Sequence, residues 1–210
     1  KGIEKNPDVI AVDSGSTDSG PHKLGLGVMT CSREAYYKDI SNILEASHEK
    51  KIPVFISSAG GDGTDAHVDE FLDIIKDISK NKGYHFNIAA IYSEMDKEFL
   101  IENLRKNRIK PCGPVEPLKE EEINLATSIV AQMGVEPYMK VLRERDDIDI
   151  IVSGRTYDPV PIAVLGIMNG FDPGLCWHLG KIMECGALCA EPAGKAMFGT
   201  LKRDHFILEP

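Results

Sequence analysis

Four short stretches of this 210-residue chain are almost continuously apolar: "DVIAVD" (8–13), "IPVFIS" (52–57), "FNIAAIYS" (86–93) and "IDIIVSG" (148–154). Strands that expose one face to water alternate apolar with polar residues, whereas strands covered on both faces do not. Runs of this kind therefore belong inside a parallel sheet. The intervals between them are long enough to hold helices, and helical periodicity is what they show. Val68, Phe71, Leu72, Ile75 and Ile78 recur at i, i+3, i+4 and i+7 behind Asp65, Asp69 and Glu70, and further helices are expected over 32–47, from Asp96 onward and over 120–133. Strand and helix thus alternate, which predicts an α/β fold with a mostly parallel open sheet and helices on both faces, a Rossmann-like three-layer arrangement.

The remainder adds two helical patterns, "PVPIAVLGIMNG" and "GLCWHLGKIMECGALCAE", and a loop with three prolines over 109–122. The whole of 1–210 reads as one α/β domain. Its last residues, "DHFILEP", are strand-like and uncapped, and the expectation is that the chain is the N-terminal part of a longer protein.

Charge and cysteine usage narrow the partners. With 24 Lys and Arg against 33 Asp and Glu the net charge is −9, and no basic stripe is present to meet a phosphate backbone, so nucleic acid is not expected as a partner. No apolar run approaches the roughly 20 residues of a membrane helix, so a membrane is not expected either. Five widely spaced cysteines without a C-x-x-C pair argue against a disulfide framework and a zinc ribbon, and point to a reducing cytoplasm.

Each strand is followed by small and polar residues, glycine, a carboxylate and a helix: "DSGSTDSGP" (13–21), "SSAGGDGTDAH" (57–67), "SEMDK" (93–97) and "SGRTYDP" (153–159). In an open parallel sheet these four loops lie along one edge, at the carboxyl ends of the strands, where ligands bind. Glycine lets backbone N–H groups approach a ligand, and hydroxyls and helix N-termini favour an anion. Asp13, Ser14, Ser16, Ser58, Gly60, Gly61, Asp62 and Arg155 are accordingly candidate substrate-binding residues, with Lys181 added from the later helix. The carboxylates Asp13, Asp18, Asp62, Asp65, Glu94 and Asp158 would repel an anion unless a cation intervenes, either Arg155 or a divalent metal held by oxygen ligands. For proton transfer the candidates are His67, just inside the helix after the triple-glycine loop, together with Glu94, Asp158 and His178. His178, Lys181 and Cys185 are spaced to share one helix face.

"DSGSTDSGP", "SSAGGDGTDAHVDE", "SEMDK", "SGRTYDP" and "CWHLGKIMECGA", in this order, resemble the acyclic terpene utilisation protein A family, over residues 9 to about 191. That resemblance implies a catabolic enzyme handling acyl-CoA intermediates, often followed by a small ferredoxin-like domain or subunit. The function expected is a hydrolase or a lyase of hydratase type acting on a carboxylate or acyl-CoA substrate, with a homo-oligomer as the candidate assembly. Two alternatives stand beside it. One is a non-catalytic acyl-CoA-binding subunit or scaffold. The other is a nucleotide-dependent phosphotransferase, because Asp13-x-Gly15-x-Thr17 matches a phosphate-loop pattern by letters and "KLGLGVMT" would supply a return strand.

Overall fold

The computed structural model describes residues 2–210. Four strands, β1 (Ile10–Asp13), β2 (Val54–Ser57), β3 (Ile88–Ile91) and β4 (Ile150–Ser153), form one sheet in the order β1-β2-β4-β3. Every pairing is parallel. β2 and β4 take the centre and are buried at every position, as their unbroken apolar character requires. The alternation of side chains divides each central strand between two cores. On one face Val54, Ile56, Ile150 and Val152 meet Ile40 and Leu44 of α2 (Arg33–Lys50) and Val68, Phe71 and Ile75 of α3 (Asp65–Lys82). On the other, Phe55 and Ile151 meet Tyr138 of α6 (Glu136–Glu144) and Val160 and Val164 of α7 (Val160–Met168). These are the three layers that the alternating pattern predicts.

Local chemistry sets the helix ends. The Ser32 side chain accepts from Ala35 N–H to open α2, and Asp96 accepts from Phe99 N–H to open α4 (Lys97–Arg105). Asp172 caps α8 (Pro173–Met183) through Leu175 N–H, with Pro173 at the first helical position, where its missing N–H costs nothing. α3 closes on Gly83 in the left-handed conformation.

Three elements differ from the periodicity. The helix expected over 120–133 stops at Leu125, giving a short α5 (Glu120–Leu125), and Leu125 is exposed. Residues 126–135 instead run irregularly across the ends of β3 and β4, bridging Val130 to Glu94 and Met133 to Thr156. The β-branched pair Ile129 and Val130 followed by Gly134 favours that extended course. α6 and the short α1 (Gly20–Leu26) were not anticipated; both carry a proline in the first turn, Pro137 and Pro21, a position where its missing N–H costs nothing. Beyond α8, β5 (Phe198–Leu201) and β6 (Phe206–Glu209) form an antiparallel hairpin. Gly199 lies against Met183 and Leu179, and Gly166 of α7 against Leu201, so the hairpin packs on α7 and α8. Among the described residues no helix is long and apolar enough to cross a membrane.

Candidate functional site

The chain leaving β2 enters α3 on one face of the sheet, and the chain leaving β4 enters α7 on the opposite face. Such a divergence opens a crevice at the carboxyl ends of the two strands. Here the crevice is laced by backbone hydrogen bonds. Ser58 N–H donates to Gly154 O at 3.1 Å, Ala59 N–H to Ser153 O at 3.0 Å and Arg155 N–H to Gly63 O at 3.0 Å. The loop after β1 lies directly on the loop after β2: a Cβ on Gly15 would fall 2.2 Å from Gly61 Cα. The loop after β3 joins through Ser93, whose hydroxyl donates to Gly63 O at 2.8 Å. Asp65 Oδ1 accepts from both Ser93 N–H and Glu94 N–H, while Glu94 Oε1 accepts from Asp65 N–H. All four loops therefore meet at one rim.

Arg155 sits in the middle, only 6% exposed. Nη2 donates to Gly15 O at 2.6 Å, Thr156 O at 2.8 Å and Asp158 Oδ1 at 3.0 Å. Nη1 reaches Gly61 O at 3.4 Å and Ser16 O at 3.5 Å, and Nε donates to Thr156 O at 3.2 Å. Burial draws its pKa down, and the charges of Asp13, Asp158 and Asp62 oppose that. The guanidinium faces inward and is spent on the loops. As a clamp for a ligand anion it has no free edge to offer, because five planar donors in one fork suit the fastening of several carbonyls at once.

Asp158, 3% exposed, accepts from Arg155 and from both the N–H (3.0 Å) and the hydroxyl (2.6 Å) of Thr17. Gln132, on the irregular stretch that crosses the strand ends, donates to Thr17 Oγ1. Oxygen atoms of Asp13, Asp158 and Glu184 lie within 4.8 Å of one another, a set that could hold a divalent ion. Lys181 Nζ enters the same space, 2.5 Å from Glu184 Oε1 and 3.9 Å from Asp158 Oδ2, and the Glu184 hydrogen bond raises its pKa.

Asp13 is the perturbed member. Its carboxylate accepts from Ser57 Oγ at 3.1 Å and Gly15 N–H at 3.3 Å. Burial, reinforced by the charge of Asp158, nevertheless pushes its pKa up to about 7, against the pull of Gly15 N–H, Arg155 and Ser57. The folded chain thus keeps a proton between the ordinary value of 3.8 and about 7 that the unfolded chain releases. Stability from this group is full below the unfolded value and falls as pH rises through that window, by up to about 4 kcal/mol. Asp13→Asn is therefore expected to unfold at higher urea concentration than the wild type at pH 8, with the gap closing by pH 5. Equal midpoints at pH 8 would remove the buried proton from the account.

At the other flank, His67 Nδ1 lies 2.6 Å from Asp62 Oδ1. The same oxygen accepts from Thr64 N–H at 3.0 Å and from the Thr64 hydroxyl at 3.2 Å, while Asp62 Oδ2 is buried without a partner.

The remaining predicted residues fall into place as follows. Ser14 donates its N–H to Ser57 O, the Ser16 hydroxyl accepts from Asp18 N–H, and the Ser58 hydroxyl donates to Thr156 O, so each serves the loops themselves. Gly60 and Gly61 have φ of 73° and 100°, and Gly60 O accepts from Thr30 N–H. Glu94 takes the part of a helix cap for α3. Cys185 lies beyond the end of α8 at Met183, and the His178 imidazole packs edge-on against Phe206 of β6, with ring centroids 5.1 Å apart. Its partner is the hairpin, which nothing in the helical spacing foretold. The return strand expected for a phosphate loop is not formed: Lys23–Leu26 are helical, and among the described residues β1 pairs with β2, in parallel. Ser57, Thr17, Thr64, Ser93, Gln132 and Thr156 take part without having been anticipated. Apart from Gln132 they lie in or beside the quoted motifs, where a small hydroxyl residue is indistinguishable from a turn former. Compared with family models, with curated proteins and with solved structures, the chain matches none.

Proposed function

We propose that the rim is the acid–base site of a lyase of hydratase type or a hydrolase acting on an acyl thioester, as the resemblance to the acyclic terpene utilisation family implies. What carries this reading is Asp13, a carboxyl group at the meeting of the loops that accepts from Ser57 Oγ and Gly15 N–H and whose pKa burial pushes up to about 7. Groups that exchange protons best at neutral pH have pKa values near it. Asp13 would give or take the proton at the substrate carbon or oxygen, and His67 would act on the partner proton, while Asp158 holds the first loop to the fourth through Thr17 and Arg155.

Charge favours the thioester over a free carboxylate. Arg155 and Lys181 are already engaged by Asp158 and Glu184, and Asp62, Asp65 and Glu94 add further acids. A substrate carboxylate would meet net repulsion there, whereas an uncharged acyl carbonyl would not. A divalent ion on Asp13, Asp158 and Glu184 would relieve that repulsion and is the route by which a free acid would enter.

The test is turnover by the 210-residue chain of a panel of CoA thioesters and the matching free acids, with and without magnesium. Thioester turnover is expected, with kcat lowered about 10²- to 10⁴-fold in Asp13→Asn. Binding without turnover would favour the non-catalytic acyl-CoA-binding alternative. A fully active Asp13→Asn would overturn the role given to this carboxyl group.

A further inference from the structure

We propose that Asp62 and His67 form a dyad in which the buried carboxylate holds the imidazole with its proton on Nδ1 and leaves Nε2 as the rim's proton acceptor. Asp62 is then a positioning residue. The proposal deepens the acid–base reading of the rim and rests on it for its use in catalysis.

The dyad stands on four observations. The Asp62 side chain is wholly buried and that of His67 is 16% exposed, with 2.6 Å between Oδ1 and Nδ1. An ionised carboxylate only accepts, so the shared proton belongs to Nδ1. Among the described residues His67 Nε2, by contrast, has no hydrogen-bond partner and is not one of the buried unpaired atoms. It is the nitrogen left for a ligand.

A turn alone would not ask for this carboxylate. Asp62 also receives Thr64 N–H in a short side-chain turn, but Asn or Ser performs that task without burying a charge. Asp62 Oδ2 is left buried and unpaired, a cost that a turn former would not need to bear. Thr64, the residue before α3, turns its hydroxyl to Asp62 instead of capping the helix, adding a third donor to the oxygen that faces His67. The backbone makes room as well. A Cβ on Gly60 would lie 2.8 Å from both Cβ and Cγ of His67, so the bare turn lets the ring lie against it. Asp62 follows Gly61, on which Gly15 rests, and Asp13 lies two residues before Gly15, so one loop contact joins the segment that carries the dyad to the segment that carries Asp13.

The experiment is ¹⁵N NMR of the histidine rings in the 210-residue chain at a pH where His67 is neutral, with His67→Gln assigning the signal. A hydrogen bond to a charged acceptor biases the tautomers by about tenfold or more. Wild type is expected to show that excess of Nδ1–H, Asp62→Ala to lose it, and Asp62→Asn to keep Nδ1–H, because its carbonyl oxygen can stay with the Thr64 donors. An Nε2–H ring in the wild type, or an unchanged excess in a folded Asp62→Ala, overturns the dyad. Should Asp62→Ala not fold, the wild-type tautomer still decides. Failure of the acid–base reading has a different signature, an Nδ1–H ring in a protein that turns over no thioester.

Discussion

Arg155→Ala is expected to lower stability by about 3–5 kcal/mol, the usual consequence of removing one partner of a buried ion pair and leaving the other charge behind. For a chain of this length that corresponds to a fall in Tm of roughly 6–20 °C. Asp158 would keep its Thr17 donors but lose its cation, and the carbonyls of Gly15, Gly61 and Thr156 would lose a shared donor. Arg155→Lys should recover little of this, because one ammonium cannot reach acceptors spread across three loops. Urea and thermal unfolding are the measurements. A residue held free for a ligand would behave in the opposite way, with affinity lost and stability kept, and a stable Arg155→Ala would return Arg155 to the anion-clamp role expected from sequence.

Gly63→Ala should be damaging for a different reason. Gly63 has φ of 72°, and a Cβ there would lie 2.2 Å from Arg155 N and 2.5 Å from its Cα, backbone atoms that cannot move without opening the crevice. Left-handed strain of about 1–3 kcal/mol and overpacking of a similar size together give roughly 2–6 kcal/mol. Gly83 is the natural control, since it shares the conformation, with φ of 70°, yet a Cβ there would have nothing within 4 Å. Gly83→Ala should therefore bear the strain alone. If urea midpoints of the two variants coincide, the close approach of the second and fourth loops is not what fixes glycine at 63.

The sheet was readable in the chain because burial on both faces leaves a mark in composition: every residue of β2 and β4 is covered, and both lie within the apolar runs quoted first. Convergence of the loops was readable from topology, since parallel strands must end together. What the side chains do at the rim was not. Arg155 reads as a cation awaiting an anion, and only coordinates reveal that carbonyls from loops some 90 and 140 residues away take its donors. His178 sits on a helical stripe with Lys181, but the partner that decides its role, Phe206, comes from a hairpin that no local period announces. The stretch after Leu125 carried helical spacing, yet it runs irregularly, bridging Val130 to Glu94 and Met133 to Thr156, and sends Met133 and Val135 into the core beside Tyr138. Local patterns report which surfaces are covered; they do not report by what.

The strand order has a bearing on how the chain comes off the ribosome. β3 is made well before β4, yet it can join the sheet only after β4 has slid in beside β2. Until then the margins of β2 and β3 that β4 will fill stay unpaired, in addition to the outer edges of the sheet. Ile150–Ser153 thus closes the centre of the sheet and leaves β1 and β3 as its edges, and the segment that follows brings Arg155 to fasten the loops.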